Sequence, residues 1–155
     1  RLSSARPEIA PYPFTTKHPP LGRVQIDEER SLLMADIPGL IEGAHTGAGL
    51  GHEFLRHIER TGMLVHLVEP EPADGSNPLE NYRTIRSELE QHSAELAGRH
   101  EIPVVTKADL PRAEEVCRDL AAALGQEVLL ISAVTGQGLN QLVAALAQSL
   151  RPTQT

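Results

Sequence analysis

The chain has 155 residues, with 14 Lys and Arg against 21 Asp and Glu, a formal net charge of −7 at pH 7, and 40% hydrophobic residues, enough for one packed core. The acidic balance makes the chain a poor candidate for sequence-independent duplex binding, no specific DNA is expected among its partners, and 3% aromatic content without Trp argues against the stacking platform of a single-strand binder. The lone Cys117 excludes an internal disulfide or a cysteine zinc site, no run approaches the roughly 18 apolar residues of a membrane span, and Arg1-Leu2-Ser3-Ser4 opens no signal peptide, so the expectation is a soluble, cytoplasmic α/β domain.

Pro7, Pro11, Pro13, Pro19 and Pro20 make residues 1–20 read as irregular, with no helix or central strand. Two strands follow, at 21–27 and 31–37, joined by the polar turn Glu28-Glu29-Arg30; so short a link makes them an antiparallel hairpin. The run Leu32-Leu33-Met34-Ala35 suits a strand buried on both faces. Five glycines between Gly39 and Gly51 describe a loop able to change shape, and Leu50, Phe54, Leu55 and Ile58 then recur at helical spacing over about 50–61.

The second half alternates strand and helix. Met63–Val68 is a buried run, followed by an acidic, turn-rich segment at 69–76. Leu79, Tyr82, Ile85, Leu89 and Leu96 mark one long amphipathic helix. Residues 102–105 form a short strand; Asp109-Leu110-Pro111 opens a helix to about Leu124, stopped by Gly125. The last strand is 128–131, and Leu139, Leu142, Val143, Leu146 and Leu150 line the last helix, ended by Pro152. Such alternation predicts a mainly parallel sheet with helices on both faces, whose ligands sit beyond the carboxyl ends of the strands.

Three of those ends carry unusual polar residues: Asp36-Ile37-Pro38-Gly39, Thr106-Lys107-Ala108-Asp109, and Ser132-Ala133-Val134. Singly, each has a bland reading. Asp36 suits a turn, Ser132 a cap, and Asp109 a helix N-cap ahead of Pro111, a role that can coexist with ligand binding. In this order and spacing they resemble the motifs of translation-factor-type GTPases. Ser4-Ala5-Arg6-Pro7, Tyr12-Pro13-Phe14-Thr15-Thr16, Leu21-Gly22, Asp36 through Ala44, and Gly47 through Arg60 resemble the Obg family in particular.

The resemblance implies a P-loop GTPase-like domain over 1–150 with a tail at 151–155, bound to GTP or GDP with Mg²⁺ as cofactor. It places Phe14, Thr15, Thr16, Lys17, His18, Asp36, Ile37, Pro38 and Gly39 at the phosphate end, with Thr16 and Asp36 serving the magnesium and the Gly39 amide meeting the γ-phosphate. It places Thr106, Lys107, Ala108, Asp109, Ser132, Ala133 and Val134 at the base. A carboxylate at Asp109 accepts from guanine N1–H and its exocyclic amine, a donor pair adenine lacks. The Lys107 stem lies over the base plane, and the Ala133 amide meets guanine O6. Thr106 stands where Asn is usual; one hydroxyl braces neighbouring loops less than an amide. Leu40 stands where Ras-like enzymes hold the water-orienting Gln, which implies slow turnover, with Glu42 and His45 the nearby polar candidates.

The family's partners imply work on the large ribosomal subunit or its rRNA, in subunit assembly and the stress response. No Gly-x-x-x-x-Gly-Lys-[Ser/Thr] occurs in the 155 residues. The expectation is therefore a GTPase domain without its first central strand and P-loop, with a non-hydrolysing binding module as the alternative. His52 and His57 stand about 140° apart around a helix, a poor metal pair, and Cys117 reads as a small core residue.

Overall fold

The computed structural model of the chain describes residues 8–9, 20–35 and 62–149. The first elements are strands β1 (Glu8–Ile9), β2 (Pro20–Gln25) and β3 (Ser31–Ala35), in the order β1-β2-β3. β2 and β3 pair antiparallel, with Gly22 opposite Met34 and Val24 opposite Leu32, as the short turn predicts. Asp27 closes that turn. Its carboxylate accepts from the backbone amides of Glu29 at 3.1 Å and Arg30 at 2.7 Å, and from the Arg30 guanidinium at 2.6 Å.

Two expectations need correction here. β1 lies in the segment read as irregular, pairing Glu8 with Leu21 and Ile9 with Pro20. It is a two-residue edge strand, and Pro20 stands first in β2, where a missing amide is tolerated. The second concerns β3, which is not buried on both faces, since Leu33 is 63% exposed. Successive side chains of a strand alternate faces, so Leu33 falls opposite Leu32 and Met34.

A second sheet is parallel: β4 (Met63–Val68), β5 (His100–Val105) and β6 (Leu129–Leu130), in the order β4-β5-β6. The helices are α1 (Pro78–His92), α2 (Ala94–Ala97), α3 (Ala113–Leu124) and α4 (Leu139–Ser149). Each parallel crossover therefore carries helix, as strand–helix alternation predicts. The described residues fall into two compact units, one holding 63–83 and 100–149, the other the remainder.

In the first unit β5 buries Ile102, Pro103, Val104 and Val105 in succession, so both its faces are covered. Val68, Val105, Tyr82 of α1, Val116 and Leu120 of α3, and Val128 form one core cluster. Each such side chain contributes on the order of 1.5–3 kcal/mol on burial. A polar set is buried alongside. The His66 and Tyr82 rings stack at 4.3 Å, the Tyr82 hydroxyl donates to Glu101, and His66 Nδ1 lies 3.6 Å from Glu101 Oε2.

Gly125 ends α3 in the left-handed conformation, φ 66°, as predicted, donating its amide to the Ala121 carbonyl. The start of α3 differs from expectation. Turns closed by Leu110 N–H to the Lys107 carbonyl and Ala113 N–H to the Leu110 carbonyl precede it, so Pro111 lies outside the helix. Asp109 does not cap it, and Arg112 stands at the cap position without a side-chain bond.

The single long helix expected from Leu79 to Leu96 is two. Ser93 takes an extended backbone, φ −158°, and its hydroxyl accepts from the Leu96 amide, starting α2 afresh. Asn77 caps α1 in the same way, accepting from the amides of Leu79 at 2.9 Å and Glu80 at 3.1 Å, with Pro78 as the first helical residue.

Candidate functional site

β4, β5 and β6 run parallel, so their carboxyl ends lie side by side and three loops leave the same edge of the sheet. The loop after β5 is fastened on both sides. Thr106 donates its amide at 3.0 Å and its hydroxyl at 3.3 Å to the carbonyl of Val68, the last residue of β4. On the other side, the Ala108 amide donates to the Ile131 carbonyl at 2.9 Å. Between them Lys107 adopts φ 53°, the left-handed region an L-residue seldom visits, and its ammonium forms an ion pair with Glu69. Asp109 then accepts a hydrogen bond from the Ser132 hydroxyl at 2.8 Å, through Oδ1.

Ser132 is fully buried and organises the loop after β6. Its amide donates to the Gln137 carbonyl, its own carbonyl accepts from Gly136 N–H, and its hydroxyl oxygen accepts from Thr135 N–H at 3.1 Å. Gly136 and Gly138 take φ 88° and 74° to turn the chain back. At Gly138 a Cβ would stand 2.1 Å from the Leu130 carbonyl oxygen, so only glycine allows this approach of backbone to backbone.

Lys107, Asp109, Ala133 and Val134 are all exposed at this edge. The arrangement offers a planar ligand a carboxylate with spare lone pairs, a long apolar stem with a charged tip, and loop backbone. Thr106 braces the end of β4 through both its amide and its hydroxyl.

Of the residues predicted for the site, the fold brings Thr106, Lys107, Ala108 and Asp109 together with Ser132, Ala133 and Val134. Phe14, Thr15, Thr16, Lys17, His18, Asp36, Ile37, Pro38 and Gly39 lie outside the described residues, as do the helix expected at 50–61, Leu40, Glu42 and His45. Among the described residues no group of three or more His, Cys, Asp or Glu could hold a metal ion. Glu69 was missed. The signal for it was position alone, as the first residue beyond a predicted buried strand. Cys117 is half-buried against the core cluster, its thiol donating to the Val128 carbonyl at 3.2 Å, and burial pushes its pKa above the ordinary thiol value.

The family described as 50S ribosome-binding GTPase matches residues 1–107. The GTPase Obg of Desulfitobacterium hafniense (strain DSM 10664 / DCB-2) is 49% identical over 152 residues, covering 97% of this chain and 36% of that protein. The GTPase Obg of Bacillus licheniformis is 49% identical over 154 residues, with 98% and 36% covered. The chain thus spans about a third of the length of these curated relatives. Among solved structures, the G domain of the T. maritima FeoB iron transporter superposes with a TM-score of 0.67 at 18% identity, covering 97% of this chain and 87% of that one. The cytosolic domain of L. pneumophila FeoB gives 0.64 at 16%, with 96% and 56% covered. At such identity these two structures speak for the fold, a GTPase-type α/β domain.

Proposed function

Since the chain belongs to the family of 50S ribosome-binding GTPases, we propose that it is the guanine-reading part of a GTP-binding switch of Obg type, slow in hydrolysis within its whole protein. The observation that carries the reading is the 2.8 Å hydrogen bond from Ser132 to Asp109. It joins two sequence-distant segments, each resembling a base-binding motif, at the carboxyl edge of one parallel sheet.

In this reading the Asp109 carboxylate accepts from guanine N1–H and the 2-amino group. Adenine would leave that carboxylate without its donors, a mismatch that sites built on hydrogen bonds reject by large factors. The stem of Lys107 covers the base plane, and the amide of Ala133 donates to guanine O6. Thr16 and Asp36 are assigned to Mg²⁺, which when bound neutralises charge on the phosphate tail. Leucine at position 40 cannot hydrogen-bond the attacking water, which is why turnover is slow unless another group supplies that function. The family description supports the large ribosomal subunit as the partner in this reading, which has the protein act in the cytoplasm during subunit assembly. No helix among the described residues is long and apolar enough to cross a membrane.

Asp109→Asn in the full-length protein tests the base assignment. Xanthine carries a carbonyl where guanine has the 2-amino group, and the new amide can donate to it. Competition between GDP and xanthosine diphosphate should shift toward the latter by about 100-fold or more. Unchanged preference for guanine would remove Asp109 from this role.

A further inference from the structure

We propose that Glu69 is a positioning residue for the base-reading loop, its carboxylate holding the Lys107 ammonium and so fixing where the Lys107 stem lies. The inference rests on the reading of 106–109 given above.

Val68 and Val105 are register partners at the ends of β4 and β5, so Glu69 and Thr106 leave adjacent strand ends. The backbone on either side of Lys107 is pinned, by Thr106 to the Val68 carbonyl and by Ala108 to the Ile131 carbonyl. Its left-handed φ of 53° is therefore imposed by the loop, and the direction in which the side chain departs is imposed with it. What the loop leaves undetermined is the four-carbon stem, which has many rotamers of similar energy. Glu69 removes that freedom by pairing with its tip.

The acid is itself well held. It precedes Pro70, which is fully buried, and a residue before proline is confined to extended backbone. The other acid of the segment, Glu71, is turned elsewhere, 3.5 Å from the Arg112 amide. Both partners of the pair remain substantially exposed, 53% for the Lys107 side chain and 42% for Glu69. An exposed pair contributes little to stability. Losing it should therefore leave the fold intact and affect only what the stem does, and that separates positioning from structural support.

The experiment uses the full-length protein and GDP carrying a fluorescent N-methylanthraniloyl ribose as probe. Glu69→Gln should weaken binding on the order of threefold to tenfold, the size of coupling seen between contacting residues. Glu69→Asp should recover part of the loss. In a Lys107→Met background, Glu69→Gln should have no further effect, and the melting temperature of the nucleotide-free protein should be unchanged by Glu69→Gln. Undiminished affinity in Glu69→Gln, or an equal loss in the Lys107→Met background, overturns the proposal. Running Asp109→Asn in parallel separates the two levels. If that variant turns toward xanthine while Glu69→Gln is silent, Glu69 alone is wrong. If it leaves guanine preference untouched, the base reading fails and Glu69 falls with it.

Discussion

Gly138 shows how much of the site depends on single side chains, here on the absence of one. Its φ of 74° and the 2.1 Å separation between a would-be Cβ and the Leu130 carbonyl oxygen are both set by backbone, which cannot swing aside as a side chain can. Gly138→Ala should cost about 2–4 kcal/mol, read from chemical denaturation as a lower midpoint at unchanged slope. Gly125, also at positive φ but with nothing within 4 Å, provides the contrast, since only conformational strain opposes a methyl there. Single residues were legible from the sequence where a motif marked them. Asp109 and Ser132 were picked out separately, yet their mutual bond was not, because no local pattern records a side-chain contact between two loops. Glu69 had no motif at all. In an acidic, turn-rich run one carboxylate looks like the next until the sheet sets one of them beside Lys107.

Among the elements, the β2–β3 hairpin carries a carboxylate whose titration bears on its turn. The Asp27 carboxyl is held below its ordinary value of 3.8, first by the hydrogen bond from the Arg30 side chain, with desolvation opposing and the backbone amides of Glu29 and Arg30 assisting. A folded-state pKa lowered in this way gives stability that is present above the unfolded value and lost as pH falls through the folded one. A carboxyl titration followed by NMR should place the Asp27 midpoint below 3.8, with the turn loosening at still lower pH. Asp27→Asn should abolish that acid dependence. The hairpin, the α3 stop at Gly125 and the last helix were all readable from spacing and turn chemistry. The break at Ser93 was not, because apolar spacing runs on through it to Leu96, and only the cap hydrogen bond reveals the restart. The start of α3 departs from the sequence expectation for a related reason. Asp-Leu-Pro has the composition of a helix opening, but its carboxylate is claimed by Ser132.

For the whole molecule, the most useful expectation was topological. Alternating strands and helices predicted a parallel sheet, and a parallel sheet predicts where ligands bind. The described β4-β5-β6 ladder has that form, with Thr106–Asp109 and Ser132–Val134 on its carboxyl edge. The phosphate end is a different matter. The 155 residues contain no Gly-x-x-x-x-Gly-Lys-[Ser/Thr], the motif whose amides and lysine grip a phosphate tail. GDP with Mg²⁺ should therefore raise the melting temperature of these 155 residues by much less than that of an intact Obg-type GTPase domain carrying the motif, as a thermal-shift assay would read. Equal shifts in the two would mean that the loops at the carboxyl edge of β4-β5-β6 suffice for affinity.

The bond between Ser132 and Asp109 has a bearing on speed as well as strength. A buried hydroxyl already selects the carboxylate's rotamer before any visitor arrives. The loss of side-chain freedom is thus borne during folding rather than at each encounter. In the proposed reading, a carboxylate held in this way would meet a base without first giving up rotamer freedom.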